Sequence, residues 1–418
     1  MPLILGSQSA LATGFSVNNS CRFNYSDGRM QRSFTAGDPD VWTFSAWLKR
    51  SHVLVGYPKI VQGFNPAVPA DNADTSAYME LDDNLKYSNW NSGDTGRLIT
   101  DAMYRDPTAW FHILILYNSD DVTAGDRMQV WINGVEETDF STDTNPSSGQ
   151  NTNFNQSGMV NYLGSHVGAD DSNLWTGYMA EVAFVDGTAY TASDFGEFNE
   201  DSPTIWQPKD FAADITFGTN GYYLDFQDSS NLGNDVSGEG NDLTTNGMDA
   251  ADQATDSPSN NFATFNNLNY PSTGAAVSFS DGNTIVTTQD ASANYFGGTS
   301  TLGMTAGKWY CEFKASSLTG AGMVGITGIP AEQARNSQQT SYTANGFSYV
   351  NDGNKKTDAV GSAYGATYTT SNVIGIAVDL DNLKIYFAKD NTWQDSGDPT
   401  SGATGTGAAF TILAASAT

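Results

Sequence analysis

Glu80 and Asp82 stand two residues apart in the segment Met79–Leu85. In an extended chain such alternate side chains face the same way. A pair of carboxyl groups about 5 Å apart is what a retaining glycosidase needs, one as nucleophile and one as acid. The next alternate position is Asn84, followed by Leu85, so the carboxylate that would complete the set is missing. The expectation is a strand at a sheet edge, with solvated acids ahead of Tyr87 and Trp90. His52, His112 and His166 lack the close spacing of a zinc site, and His112 lies in an apolar run where a satisfied core imidazole is expected. The Gly402–Gly407 stretch has no Lys to serve a phosphate loop, and no nucleophile elbow is present. These residues predict a non-enzymatic protein.

Two binding chemistries remain. Hard cations want several oxygen ligands on irregular loops. Asp170 and Asp171 beside Asn173, and Asp228, Asp235 and Asp242 beside Asp225 and Asn231, offer such oxygens for calcium. The same residues are equally explained as Asx turns. Sugars want aromatic faces beside hydrogen-bonding groups. Tyr87, Trp90, Tyr162 and Trp175 lie in polar, turn-rich settings and are the candidates, whereas Trp42, Trp47, Trp131 and Trp309 lie in strand-like runs and are expected in the core.

The elements that must position these residues follow from composition and pattern. The 418-residue chain has 18 Lys+Arg against 47 Asp+Glu, a net charge of -29. That balance repels phosphate backbones and anionic membranes and suits solubility, divalent-cation loops or a salt-rich setting. Gly, Ser, Thr, Asn and Asp dominate, which predicts many short strands joined by turns. Cys21 and Cys311 are too few for a disulfide framework and sit among apolar neighbours, as buried thiols would. Met1–Gly6 is no signal peptide, and no stretch is long enough to span a bilayer.

Strands are expected at Val41–Leu48, Trp110–Tyr117, Met128–Ile132 and Tyr178–Val185. Asn133-Gly134 marks a type I′ hairpin, and Thr191–Gly196 reads as one capped helical turn. Residues 139–155 are polar and expected as a long exposed connection. Strands resume at Lys308–Phe313, Met323–Ile326, Val373–Asp379 and Leu383–Ala388. The fold class is all-β, with two antiparallel jelly-roll sandwiches. The domains are expected at 1–207 and 269–418, joined by a turn-rich connector, 208–268, with one strand.

Trp42-Thr43-Phe44-Ser45-Ala46-Trp47, Val130-Trp131-Ile132-Asn133-Gly134 and Gly177–Val182 together resemble a laminin-G-like or pentraxin-like concanavalin module over about residues 1–205. Gly307–Phe313, Ile374–Asn382 and Ile385–Asp390 resemble strands of SPRY domains. The chain ends at Thr418, where that family has further closing strands, so these are supplied differently or the natural protein is longer. Tyr223–Phe226, Asp228–Asp242 and Asp256–Thr264 resemble the joint in tailed-phage structural proteins that pair the two modules. That resemblance implies a virion surface protein, as a tail fibre, an appendage or a capsid decoration. Its expected partners are copies of itself, with a trimer favoured, other virion proteins and host-surface glycans. A bacterial extracellular lectin or adhesin is the alternative, and a sandwich glycoside hydrolase a third.

Overall fold

The computed structural model describes residues 14–23, 28–51, 56–67, 73–91, 93–165, 173–268, 277–288, 298–328 and 346–412. The chain divides after Asn267 into two compact units, with the hairpin tip Phe279–Ile285 belonging to the first. Both are antiparallel β structures, as the alternating pattern predicts.

The strands of the first unit are β1 (Ser20–Phe23), β2 (Arg29–Ser33), β3 (Val41–Arg50), β4 (Lys59–Phe64), β5 (Ala73–Met79), β6 (Asn84–Asn91), β7 (Asp94–Met103), β8 (Phe111–Asn118), β9 (Met128–Ile132), β10 (Val135–Glu136), β11 (Phe140–Thr144), β12 (Val160–Leu163) and β13 (Gly177–Asp186). They are followed by β14 (Gly196–Phe198), β15 (Trp206–Pro208), β16 (Tyr222–Leu224), β17 (Thr244–Asn246) and β18 (Gln253–Ala254). One sheet, here the front sheet, runs β10-β9-β8-β3-β13-β1-β18, with β16 also on β13. The back sheet runs β11-β7-β6-β5-β4-β12-β2-β17. Their facing sides close on one apolar core. Trp42 sits within it, stacked on Tyr117 with centroids 5.8 Å apart and 4.6 Å from Phe154. Its indole N–H donates to Thr152 Oγ1 at 2.9 Å, so this large core side chain keeps its polar atom satisfied.

The hairpin β9–β10 turns at Asn133 and Gly134, both at positive φ, as the Asn-Gly pair predicts. A Cβ at Gly134 would stand 2.2 Å from the Trp206 ring, a second reason for glycine there. The helical turn α1 (Ala192–Phe195) begins with a capping box between Thr191 and Asp194.

Three expectations are corrected. Residues 139–155 are not one exposed connection: Phe140–Thr144 is the edge strand β11, and Phe154 is buried against Trp42. Residues 208–268, expected as a turn-rich connector with one strand, hold three strands and, as far as Asn267, belong to the first unit. They add β16, β17 and β18 to the edges and flank of the sandwich and send Tyr222, Leu224, Phe226, Leu232 and Leu243 into its core. Those apolar residues are spaced among turn formers, which hides a strand pattern but still drives burial. Cys21 is buried as expected, whereas Cys311 is exposed on a strand at a sheet edge.

A short hairpin, β19 (Val277–Ser280) and β20 (Ile285–Thr288), comes next. The second unit holds β21 (Lys308–Lys314), β22 (Met323–Thr327), β23 (Gly346–Val350), β24 (Asn354–Thr357), β25 (Val360–Ala363), β26 (Val373–Asp379), β27 (Lys384–Lys389), β28 (Thr392–Trp393) and β29 (Phe410–Thr411). Its sheets run β21-β26-β27-β28, with β29 also on β27, and β22-β23-β24-β25. A core of its own gathers Phe347, Tyr349, Ile376 and Phe387.

Candidate functional site

The outward side of the back sheet gathers polar and aromatic side chains, of which Lys59, Gln62, Ser76 and Ser88 are buried. Residues paired across neighbouring antiparallel strands share a face. The register sets Gln31 beside Tyr162, Tyr162 beside Gln62, Gln62 beside Ser76, Ser76 beside Ser88, and Ser88 beside Arg97. From Tyr162 to Arg97 this row crosses four strand intervals, roughly 19 Å at about 4.8 Å each. A parallel row places Lys59, Tyr78 and Lys86 side by side, and a third sets Asp74 against Trp90. The intervening residues Ala77, Met79, Leu85, Tyr87 and Leu98 point the other way, into the core.

These polar groups are bonded to one another. Asp74 Oδ2 accepts from Gln62 Nε2 at 2.9 Å and from Ser76 Oγ at 3.1 Å. Lys59 Nζ donates to Ser76 Oγ at 3.0 Å, lies 3.6 Å from Asp74 and sits 3.5 Å above the Tyr78 ring. Burial is the main cause of the fall of the Lys59 amine to about 8, and Asp74 opposes it. Lys86 pairs with Glu80 at 3.1 Å and lies 5.0 Å from the same ring. Tyr57 meets Tyr78 edge-on, and Arg97 lies 5.9 Å from the Trp90 ring while paired to Asp94. The result is a fixed polar floor with half-buried or exposed rings at Tyr57, Tyr78, Trp90 and Tyr162.

Of the four aromatic candidates, Trp90 and Tyr162 thus share this face. Tyr87 and Trp175 do not: both are core residues, Tyr87 packed edge-on to Trp42 at 6.0 Å and Trp175 with no exposed surface. Tyr57, Lys59, Gln62, Asp74, Tyr78, Lys86 and Arg97 were not singled out from the sequence. The usable signal was the alternation Asp74, Ser76, Tyr78 and Lys86, Ser88, Trp90, polar or aromatic at every second position.

The acidic candidates serve the backbone. Asp228 Oδ1 accepts from the Ser230 hydroxyl and from the N–H of Ser230, and these two bonds, the hydroxyl first, hold its carboxyl below the usual range. Asp235 accepts from the N–H groups of Tyr223, Ser237 and Asn241, and Asp242 from Asp235 N and Asn231 Nδ2. Among the described residues no group of three His, Cys, Asp or Glu is placed to hold a metal. Asp170, Asp171, His52 and His166 lie outside the described residues. Glu80 is not on an edge strand. It follows the interior strand β5, in the turn to β6, and Asn84 Nδ2 is spent on the carbonyl of Thr100.

Among the described residues, Ser45 Oγ lies 2.8 Å from His112 Nε2, a nucleophile-like pair. Both are buried, and the imidazole lies between Trp47 and Trp206 with its Nδ1 unbonded. Burial pushes this histidine down to about 3, so it stays neutral and closes the packing under Trp206.

Fold and face together define a double-unit, antiparallel β-sandwich protein. No protein-family model and no curated protein matches the chain. Solved structures with partial likeness include a native heptameric SAP-like pentraxin from Limulus polyphemus, at 18% identity over 43% of this chain and 80% of that one, TM-score 0.31. Domains LG4-5 of the mouse laminin α1 chain align at 10% identity over 99% and 84%, TM-score 0.33. The CBM40 module of a Ruminococcus gnavus IT-sialidase, bound to α2,3-sialyllactose, aligns at 12% identity over 42% and 92%, TM-score 0.29. Likenesses this distant carry no functional argument.

Proposed function

We propose that the chain is a non-enzymatic glycan-binding protein and that the outward face of the back sheet is its binding surface. The observation that carries this is the row from Tyr162 through the buried Gln62, Ser76 and Ser88 to Arg97, whose bonded polar network lies among the half-buried rings of Tyr78, Trp90 and Tyr162 and the exposed ring of Tyr57. Sugar rings offer apolar C–H patches that lie on aromatic faces, and hydroxyls that take fixed donors and acceptors. A prebonded floor loses little conformational entropy when a ligand lands.

The test is a glycan array with the full chain, followed by titration of the best ligand. Trp90→Ala and Tyr162→Ala are each expected to weaken binding about tenfold or more, since truncating an aromatic anchor costs about 2 kcal/mol or more. No binding to any glycan, or binding indifferent to both substitutions, rejects the reading. Catalysis is checked by release of reducing ends. The non-enzymatic reading predicts none, and release abolished by Glu80→Gln would overturn it.

The setting we infer is the surface of a bacteriophage particle, as a tail fibre, an appendage or a capsid decoration. Its support is the tandem order of the two modules and their joint in the sequence, with the acidic, turn-rich composition. Cryo-electron microscopy of purified particles should find the chain in symmetric copies. A free monomer alone would favour the bacterial lectin or adhesin.

A further inference from the structure

Strand β21 of the second unit is an open sheet edge. Its 7 residues make it the longest edge strand of the described sheets, and among the described residues it has a neighbour, β26, on one side alone. The edges β10, β18 and β28 are 2 residues each, the shortness by which proteins blunt unwanted pairing. The Leu380 N–H donates to the carbonyl of Gly307 at 2.9 Å, and the Ala315 N–H to that of Asn372 at 3.1 Å. Alternate residues of an antiparallel strand bond the same neighbour. The odd-numbered residues of β21 therefore bond β26, and Lys308, Tyr310 and Glu312 turn their N–H and C=O groups to the free edge. Their three side chains share one face of the sheet. Tyr310 is 54% exposed, and a Cβ at Gly375 would meet its hydroxyl at 2.7 Å. The ring thus leans inward over β26, edge-on to Trp393, rather than across the open edge.

Going beyond the back-sheet reading and independent of it, we propose that β21 is a dimerisation strand, which pairs antiparallel with β21 of a second copy about a two-fold axis at Tyr310. A two-fold contact must be self-complementary, and here charge selects the register. Pairing about Tyr310 sets Lys308 of each copy opposite Glu312 of the other, so two opposite-charge pairs form while the edge N–H and C=O groups meet. On the other face it sets the half-buried Trp309 opposite the exposed Cys311. Pairing about Cys311 would oppose Lys308 to Lys314, and pairing about Glu312 would oppose the two glutamates. Like charges directly opposite destabilise a strand pair, which excludes both. The charges at the edge have bonding capacity to spare. Lys308 lies 3.3 Å from Asp379 with 57% of its side chain exposed, and an ammonium carries three donors. Glu312 accepts from the Tyr310 hydroxyl through Oε1 at 2.7 Å, and among the described residues Oε2 is unbonded. The sheet then continues from β26 through both edge strands into β26 of the second copy.

The experiment is analytical ultracentrifugation of the full chain over a concentration series, with folding of each variant checked by circular dichroism. A reversible dimer is expected. Lys308→Glu and Glu312→Lys should each weaken it about tenfold or more, because the two-fold axis repeats every like-charge pair. An equimolar mixture of the two variants should recover the dimer, since each chain then meets the opposite charge at both positions. Tyr310→Pro removes an N–H that faces the free edge, a change that edge strands tolerate, and should abolish the dimer, whereas Tyr310→Ala should keep it. A monomer at every concentration, or a trimer, overturns the proposal, as does a dimer indifferent to Tyr310→Pro. A mixture no more dimeric than its two components also overturns it, and none of these outcomes touches the back-sheet reading.

Discussion

Asp83→Asn is expected to destabilise the first unit by about 3–5 kcal/mol, the cost of leaving a buried charge without its partner. Asp83 is fully buried in the turn between β5 and β6, where its carboxylate meets Arg50 at 2.8 Å and Arg105 at 3.2 Å. Arg50 has 1% of its side chain exposed and donates also to the carbonyl of Tyr104 at 2.6 Å. Burial pushes its guanidinium down, and the Asp83 charge opposes that fall. Asparagine keeps the shape and tolerates the positive φ of 65° at this position, so the variant isolates the charge. Urea denaturation followed by tryptophan fluorescence checks it. Arg105→Ala, whose partner is the same carboxylate but whose own side chain is 45% exposed, should cost under about 1 kcal/mol. Equal effects from the two substitutions would mean that Arg50 does not depend on the pair.

Glu181→Gln is expected to remove a pH-dependent loss of stability. Glu181 sits at positive φ in the irregularity of β13 between Ala180 and Ala183, buried, with the Tyr223 hydroxyl donating to it. Burial is the main cause that raises its carboxyl from an ordinary 4.5 to about 7, with Asp225 and Asp210 adding to the rise and the Tyr223 bond opposing it. The folded state therefore holds the proton more tightly than the unfolded chain. The contribution to stability is fully present below about 4.5 and is lost as pH rises towards 7, by about 3 kcal/mol in all. Denaturation at pH 4.5 and pH 8 should show a smaller loss in Glu181→Gln than in the unchanged protein. Tyr223→Phe, which removes the opposing bond, should push the transition to higher pH. An identical pH dependence in the unchanged protein and Glu181→Gln would place the titration elsewhere.

Much of the scaffold was legible in the chain. Trp42, Phe44, Ala46 and Leu48 alternate in β3 and all enter the core, and Asn133-Gly134 makes the hairpin its positive φ values require. Such local signals work because strand period and turn conformation are properties of a few consecutive residues. The segment from 208 to 267 was opaque for the opposite reason. Its strands are two or three residues long and are specified by the edges they join, β13, β2 and β1, rather than by their own pattern.

The candidate faces depended still more on tertiary structure. Tyr87 and Trp90 lie three residues apart in one strand, which puts them on opposite sides of the sheet, one under Trp42 and one beside Arg97. Composition marked both as aromatics in polar surroundings, and only the register decided which was buried. The same holds for the acids at 228, 235 and 242, whose oxygens any calcium loop would want, but which the folded backbone occupies with its own N–H groups. By itself the sequence determined an all-β chain, its principal strands and the aromatic stock from which the proposed binding face is made. Which rings meet, and on which face, was decided by pairings hundreds of residues apart, such as Arg22 with Asp281 and Lys49 with Asp256. No local rule specifies such contacts, because they form only when two sheets close over a shared core.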